Sequence, residues 1–267
     1  MSAADGPQPR VLRVPADERD GALAGDVQAA PEPVGAVVLV HGFASGRRGA
    51  KARHLSRALP ELGWTVVAPD LQGHGDSGGS FAGLTIERSI RDVLRVAALP
   101  EVSDAPRRVL CGSSFGGLVA AWTAVEHPAL FERLVLIAPA FGFLDRYVGG
   151  LSAGALRAWE DGRPHRAQTP AGPRDLDADI VRERPRRPWR RVAADLRTPT
   201  LLVHGRQDTS VPWEASARFV AATGRDVVRA AYLDAADHRM SGHLDALVEL
   251  VAAFLGTPPG GAAEPLI

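Results

Sequence analysis

Ser114 lies at the centre of Gly112-Ser113-Ser114-Phe115-Gly116, a Gly-x-Ser-x-Gly pattern. That spacing suits a serine held on a sharp bend between a strand and a helix, with glycines where side chains would collide. A serine hydroxyl is a poor nucleophile at neutral pH. It needs a general base, an acid to orient that base, and N–H donors for the oxyanion formed by attack on an acyl carbon. The pentapeptide alone is a weak signal, because Gly and Ser are common in turns. Its flanks strengthen it: residues 108–111 are strand-like and residues 118–125 helix-like.

On an open parallel sheet the helper groups belong in loops at the carboxyl ends of strands. Asp208 ends the turn His204-Gly205-Arg206-Gln207-Asp208, which follows an apolar strand; His238 follows the last strand in Asp234-Ala235-Ala236-Asp237-His238. The order Ser114, Asp208, His238 is that of strand–turn–helix hydrolases rather than of either unrelated protease arrangement. The predicted oxyanion donors are two backbone N–H groups. One is on Phe115, beside the nucleophile at a helix N-terminus, and the other on Phe43, just after His41-Gly42. Plainer readings compete. Ser114 could simply cap its helix, and Asp208 could serve only its turn. His243 rivals His238 as base and Asp234 rivals Asp208 as acid, while Asp237 is expected to point elsewhere. His41, His74, Asp76 and His204 read as residues that hold loops, and Cys111 as a small core residue.

The elements that must position these groups alternate strand and helix. Apolar runs at 35–40, 64–68, 109–111, 134–138, 200–203 and 226–233 read as strands covered on both faces. Helical patterns fall at 51–62, 85–99, 118–125, 213–223 and 245–255, and residues 11–15 and 22–27 read as an opening hairpin. The rhythm predicts an α/β fold: a mainly parallel sheet flanked by helices on both faces. Residues 140–198 interrupt it with many Arg, Pro and Gly. They read as a small lid inserted before the penultimate strand, one or two short helices with a core helix folded into its end. One domain over 10–256 is expected, with flexible tails at 1–9 and 257–267.

Composition narrows the function classes. The 267 residues carry formal net charge +0, so no global field favours nucleic acid or an anionic membrane. There is one cysteine, hence no internal disulfide; no secretory or bilayer-spanning apolar run is evident, and a cytoplasmic protein is expected. No zinc spacing, Walker loop or dinucleotide fingerprint occurs, so no metal and no cofactor is predicted. Arg182, Arg184, Arg186, Arg187, Arg190 and Arg191 form a basic run, either a solvated face or an attraction for anions. Lys51 is the sole lysine among 31 basic residues, which reads as genome composition.

Taken together, these motifs resemble the α/β-hydrolase superfamily over about residues 34–255. They are His41-Gly42-Phe43, the Asp70–Ser77 segment, Gly112–Gly117, His204–Asp208 and Asp237-His238. The Gly73–Phe81 turn is similar to that of bacterial cinnamoyl/feruloyl-type esterases. The Gly-Ser-Ser-x-Gly-Gly elbow, Val211-Pro212-Trp213 and His238-Arg239-Met240 are similar to mitochondrial palmitoyl-protein thioesterases that also cleave acyl glucuronides. The resemblance implies a small lid, no metal and no cofactor. The expected activity is hydrolysis of a small-molecule acyl ester or thioester through an acyl-enzyme. The alternatives are a non-catalytic binding protein of the same fold and an amide or peptide hydrolase on the same three residues. Oligomeric state is left open.

Overall fold

A computed structural model describes residues 9–17, 20–169, 171–223 and 226–256. Apart from Pro9, the tails expected to be flexible lie outside the described residues. The first half of the chain runs β1 (Arg10–Val14), β2 (Leu23–Gln28), β3 (Gly35–Val40), α1 (Ala50–Ala58), β4 (Trp64–Pro69), α2 (Ile86–Ala97), α3 (Pro100–Ser103), β5 (Arg108–Ser113), α4 (Phe115–Glu126) and β6 (Arg133–Ile137). It continues through α5 (Phe143–Gly149), α6 (Ala153–Glu160), β7 (His165–Ala167), β8 (Arg174–Leu176), α7 (Ala178–Arg182), α8 (Trp189–Asp195), β9 (Thr200–Gly205), α9 (Trp213–Thr223), β10 (Val228–Leu233) and α10 (Leu244–Gly256).

Eight strands form one sheet in the order β1-β2-β4-β3-β5-β6-β9-β10. The β1–β2 and β2–β4 pairs are antiparallel and the remaining pairs parallel, so the expected mainly parallel sheet is present. The apolar runs explain the two covered faces, because successive residues on a strand point to opposite sides. Val38, Leu110 and Leu202 face a core with Ile90 of α2, Trp122 of α4, Val192 of α8 and Phe219 of α9. Val37, Cys111 and Val203 face the other core, with Leu55 of α1 and Val251 and Phe254 of α10. Each buried Leu or Phe side chain contributes roughly 1.5–3 kcal/mol relative to an exposed one.

The segment between β6 and β9 holds more structure than expected. It contains α5, α6 and α7, a separate antiparallel β7–β8 hairpin, and α8. The last of these packs on α4 and α9 and is the core helix anticipated at its end. Trp159 ties the hairpin to α6, its Nε1 donating to the carbonyls of Leu176 and Asp177, both at 3.0 Å. Glu183 fastens the segment to the core. Its carboxylate accepts from the backbone N–H groups of Ile86 (2.7 Å) and Glu87 (2.9 Å), while the Thr85 hydroxyl accepts from Arg88 N–H (3.0 Å). Three of the free donors at the head of α2 are thereby satisfied.

Candidate active site

Between β5 and α4 the chain turns at Ser114, which has φ 57° and ψ −118°. A non-glycine residue there is strained by about 1–3 kcal/mol, so the surroundings must hold it. They do so by hydrogen bonding. Ser114 N–H donates to Ile137 C=O (2.9 Å), and its own carbonyl accepts from Gly117, Leu118 and Ala140 N–H. Gly116 is required because a Cβ there would run into the carbonyls of Val40 and His41. At Gly42 a Cβ would be crowded, standing 3.1 Å from that of Ser114.

The loops after β9 and β10 bring the other two side chains to this turn. His238 Nε2 lies 3.1 Å from Ser114 Oγ, and His238 Nδ1 lies 2.6 Å from Asp208 Oδ2. The partners assign the protons: Nδ1–H donates to the carboxylate and Nε2 accepts from the hydroxyl. Asp208 is fixed on its other oxygen by Ser210 N–H (2.8 Å) and Val211 N–H (2.7 Å). Burial pushes the Asp208 pKa up, but hydrogen bonds from His204, His238 and Val211 outweigh it and hold the carboxyl well below the usual range. The residue is therefore an anion at neutral pH, able to orient and stabilise a charged imidazole.

His204 was expected only to hold a loop. It is fully buried, and its Nε2 donates to Asp208 Oδ2 and to Val211 C=O, both at 3.1 Å, while its Nδ1 accepts from Ser216 Oγ at 2.8 Å. It thus bears directly on the acid. The rivals are placed elsewhere. Asp237 caps its own turn, accepting from Arg239 N–H and Ser241 N–H; Asp234 pairs with Arg206; His243 Nδ1 donates to Ser241 C=O.

The loop carrying Phe43 is held by charge and by rings. Buried Arg47 pairs with Asp70, with Asp76 at 2.7 Å and with Asp26 at 3.0 Å. His41 Nε2 accepts from Leu71 N–H at 2.9 Å. The Phe43 ring packs against Phe81 (5.3 Å between centroids) and against Phe143 of α5 (5.2 Å). Among the described residues neither Phe43 N–H nor Phe115 N–H donates to a protein acceptor. His74 and Asp76 hold the neighbouring turn, and Cys111 is a buried thiol whose pKa burial pushes up to about 12.

Two cavities meet at Ser114, His238, Phe43 and Ser210. The larger, about 710 Å³, lies against α5, with Phe143, Tyr147 and Trp189 in its wall. The smaller, about 460 Å³, runs between the Phe43 loop, α1 and the sheet. The side chain of Lys51, also unassigned by the sequence, lines this second cavity and donates to the His238 carbonyl at 2.8 Å. In the basic run, Arg182, Arg184, Arg187 and Arg191 pair with Asp179, Asp145, Glu126 and Asp195; the first, second and fourth arginines are exposed, whereas Arg187 packs over the Trp122 ring. Among the described residues no three His, Cys, Asp or Glu side chains gather as a metal site, and no helix is long and apolar enough to cross a membrane.

A family model described as serine aminopeptidase, S33, matches residues 31–179. The chain is 24% identical to a mitochondrial palmitoyl-protein thioesterase of Bos taurus, across 78% of this chain and 68% of that protein. It is 28% identical to a monoacylglycerol lipase of Mycolicibacterium smegmatis, across 71% of this chain and 75% of that protein. Among solved structures, Est1E of Butyrivibrio proteoclasticus with ferulic acid bound superposes with a TM-score of 0.79. It is 24% identical, with 91% of this chain and 97% of that one covered, a likeness of fold.

Proposed function

The chain belongs to the serine aminopeptidase S33 family of α/β hydrolases, and from that premise we propose that it hydrolyses carboxylic esters or thioesters through Ser114, Asp208 and His238. The observation that carries this is the unbroken hydrogen-bonded line from Asp208 through His238 to Ser114, open to two cavities. His238 Nε2 takes the hydroxyl proton as Ser114 Oγ attacks the acyl carbon. The oxyanion is held by the N–H groups of Phe43 and Phe115. His238 then protonates the departing alcohol or thiol, and in the second half activates water to release the acid. Asp208 keeps the imidazole in the required tautomer. The segment 140–198 acts as a lid over the larger cavity, and one domain spans 10–256.

Esters and thioesters are favoured over peptides by the charges at hand. An aminopeptidase must hold a substrate ammonium, and that calls for a free carboxylate. The one carboxylate lining the larger cavity, Asp145, pairs with Arg184 at 2.7 Å, and the smaller cavity is lined by no Asp or Glu. The relatives named thioesterase and lipase agree with this choice. A fluorophosphonate probe is expected to label Ser114 in folded protein, with labelling and p-nitrophenyl ester hydrolysis lost in Ser114→Ala and His238→Ala. Absence of labelling in native protein would sink the reading in favour of a binding protein. Labelling that survives His238→Ala and is lost in His243→Ala would overturn the assigned base.

A further inference from the structure

The two cavities that meet at Ser114 both carry cations, but only the smaller holds one that is partly buried. In the larger, Asp145 pairs with Arg184, and two exposed arginines stand near solvent, Arg146 donating to the Ser210 carbonyl and Arg218 beside it in the lining. Among the described residues, the charged side chains lining the smaller are those of Lys51 and Arg239, with the histidines His41 and His238 beside them. Its inner wall is apolar, formed by Leu39, Leu55, Cys111 and Ile137. The Cys111 thiol supplies no anion, since burial raises its pKa to about 12.

Lys51 is the odd member of this lining. It is partly buried, and its one hydrogen bond, to the His238 carbonyl, leaves two of its three donors unused. Among the described residues no carboxylate comes within ion-pair distance of it. Asp208 and Asp237 act on it only through space, and both are already committed: Asp208 to the two histidines and the turn amides, Asp237 to Arg239 N–H and Ser241. Burial lowers the Lys51 pKa to about 8, so the group is still mainly an ammonium at neutral pH. Arg47, the other basic side chain buried beside this loop, has three carboxylates around it. A desolvated cation without a counterion is costly to keep, and a ligand anion would relieve that cost. Arg239, exposed and also without a carboxylate partner among the described residues, adds a second positive charge to the same cavity.

Which part of the substrate lodges there follows from the reaction. The acyl group stays bonded to Ser114 while the leaving group departs and water enters. The wider cavity suits that exchange, and the narrower one suits the group that stays. The geometry points to the smaller cavity as an acyl subsite selecting an acyl chain that ends in a carboxylate, with Lys51 and Arg239 as its specificity-determining cations. The substrate class is then a monoester or monothioester of an aliphatic dicarboxylic acid. This inference rests on the ester or thioester reading given above.

The test compares kcat/KM for the mono-p-nitrophenyl ester of adipic acid with that for its neutral isostere, in which the free carboxyl is an amide. Native protein is expected to prefer the anionic ester on the order of tenfold, the size of one modest ionic contact. Lys51→Gln should collapse this ratio towards one, and Arg239→Gln should lower it. The ratio is the readout because Lys51 also touches the His238 loop, and a general loss of rate cancels from it. Free adipate should inhibit native protein competitively and more strongly than its diamide, a measurement that needs no variant. Equal rates on both esters, or a preference untouched by both substitutions, would overturn the proposal. So would a preference that appears only when the carboxylate is moved to the alcohol. Hydrolysis of neither ester would likewise overturn the proposal, while the hydrolase reading is judged separately by fluorophosphonate labelling of Ser114.

Discussion

Asp92, on α2, is a buried carboxyl with the opposite electrostatics to Asp208. It is 1% exposed, accepts from Gln72 N–H (2.8 Å) and Gln72 Nε2 (2.7 Å), and burial raises its pKa to about 6. Its folded pKa thus exceeds the unfolded value of about 3.9, so the folded state holds this proton more tightly. The resulting stability is full below about pH 4 and is lost as pH rises through about 6. Native protein should therefore lose up to about 3 kcal/mol from this group between those limits. Asp92→Asn should remove that part of the decline, seen as a smaller difference between urea unfolding energies at pH 4 and pH 7. An unchanged difference would remove Asp92 from the account. For Asp208 the sign is reversed: its contribution is present above the unfolded pKa and fades as pH falls towards its depressed folded value. At this scale the sequence exposes chemistry but not contact. Ser114, Asp208 and His238 are readable because each sits at a strand end. His204 and Lys51 are not, because the first, near the end of β9, acts on the irregular loop that follows the strand. The second reaches a carbonyl 187 positions away.

At the scale of elements, Glu183 links the segment 140–198 to the sheet layers. It follows α7 and closes the head of α2, 97 residues earlier in the chain. Burial raises its pKa although both amides favour the anion, so the bond is made against a desolvation cost. Glu183→Ala leaves two amides without their acceptor and should cost about 1–2 kcal/mol, measured by chemical denaturation. A change below a few tenths of a kcal/mol would mean that solvent replaces the clamp. The strands of the sheet are legible because both faces are covered: the run at 35–40 coincides with β3 and the pattern from 85 with α2. The β7–β8 hairpin is illegible for a physical reason. Its strands have three residues each, and only Ala167 and Leu176 are buried, too few to display a period of two. The helices α5, α6 and α7 are also short, five to eight residues long, with one to three buried residues apiece.

Across the whole molecule, the groups proposed to act come from both sides of the 140–198 segment. Phe43, Ser114 and Phe115 precede it; Asp208 and His238 follow it, on the loops of β9 and β10 at one edge of the sheet. The order of strands, not proximity in the chain, brings them together, and the turn at Ser114 is where the two halves meet. That turn also limits the molecule. At φ 57° and ψ −118° a glycine would be at ease where the serine is strained. Ser114→Gly should raise the midpoint of thermal unfolding by a few degrees, about 1 kcal/mol after the entropy of the unfolded glycine is deducted. Ser114→Ala keeps a Cβ in the same conformation and should not. Equal midpoints for the two variants would show that the backbone strain is already relaxed. The natural sequence is consequently not the most durable one its own architecture permits. A lineage released from the need to cleave anything would drift towards glycine at this position, gaining heat tolerance as it lost its trade.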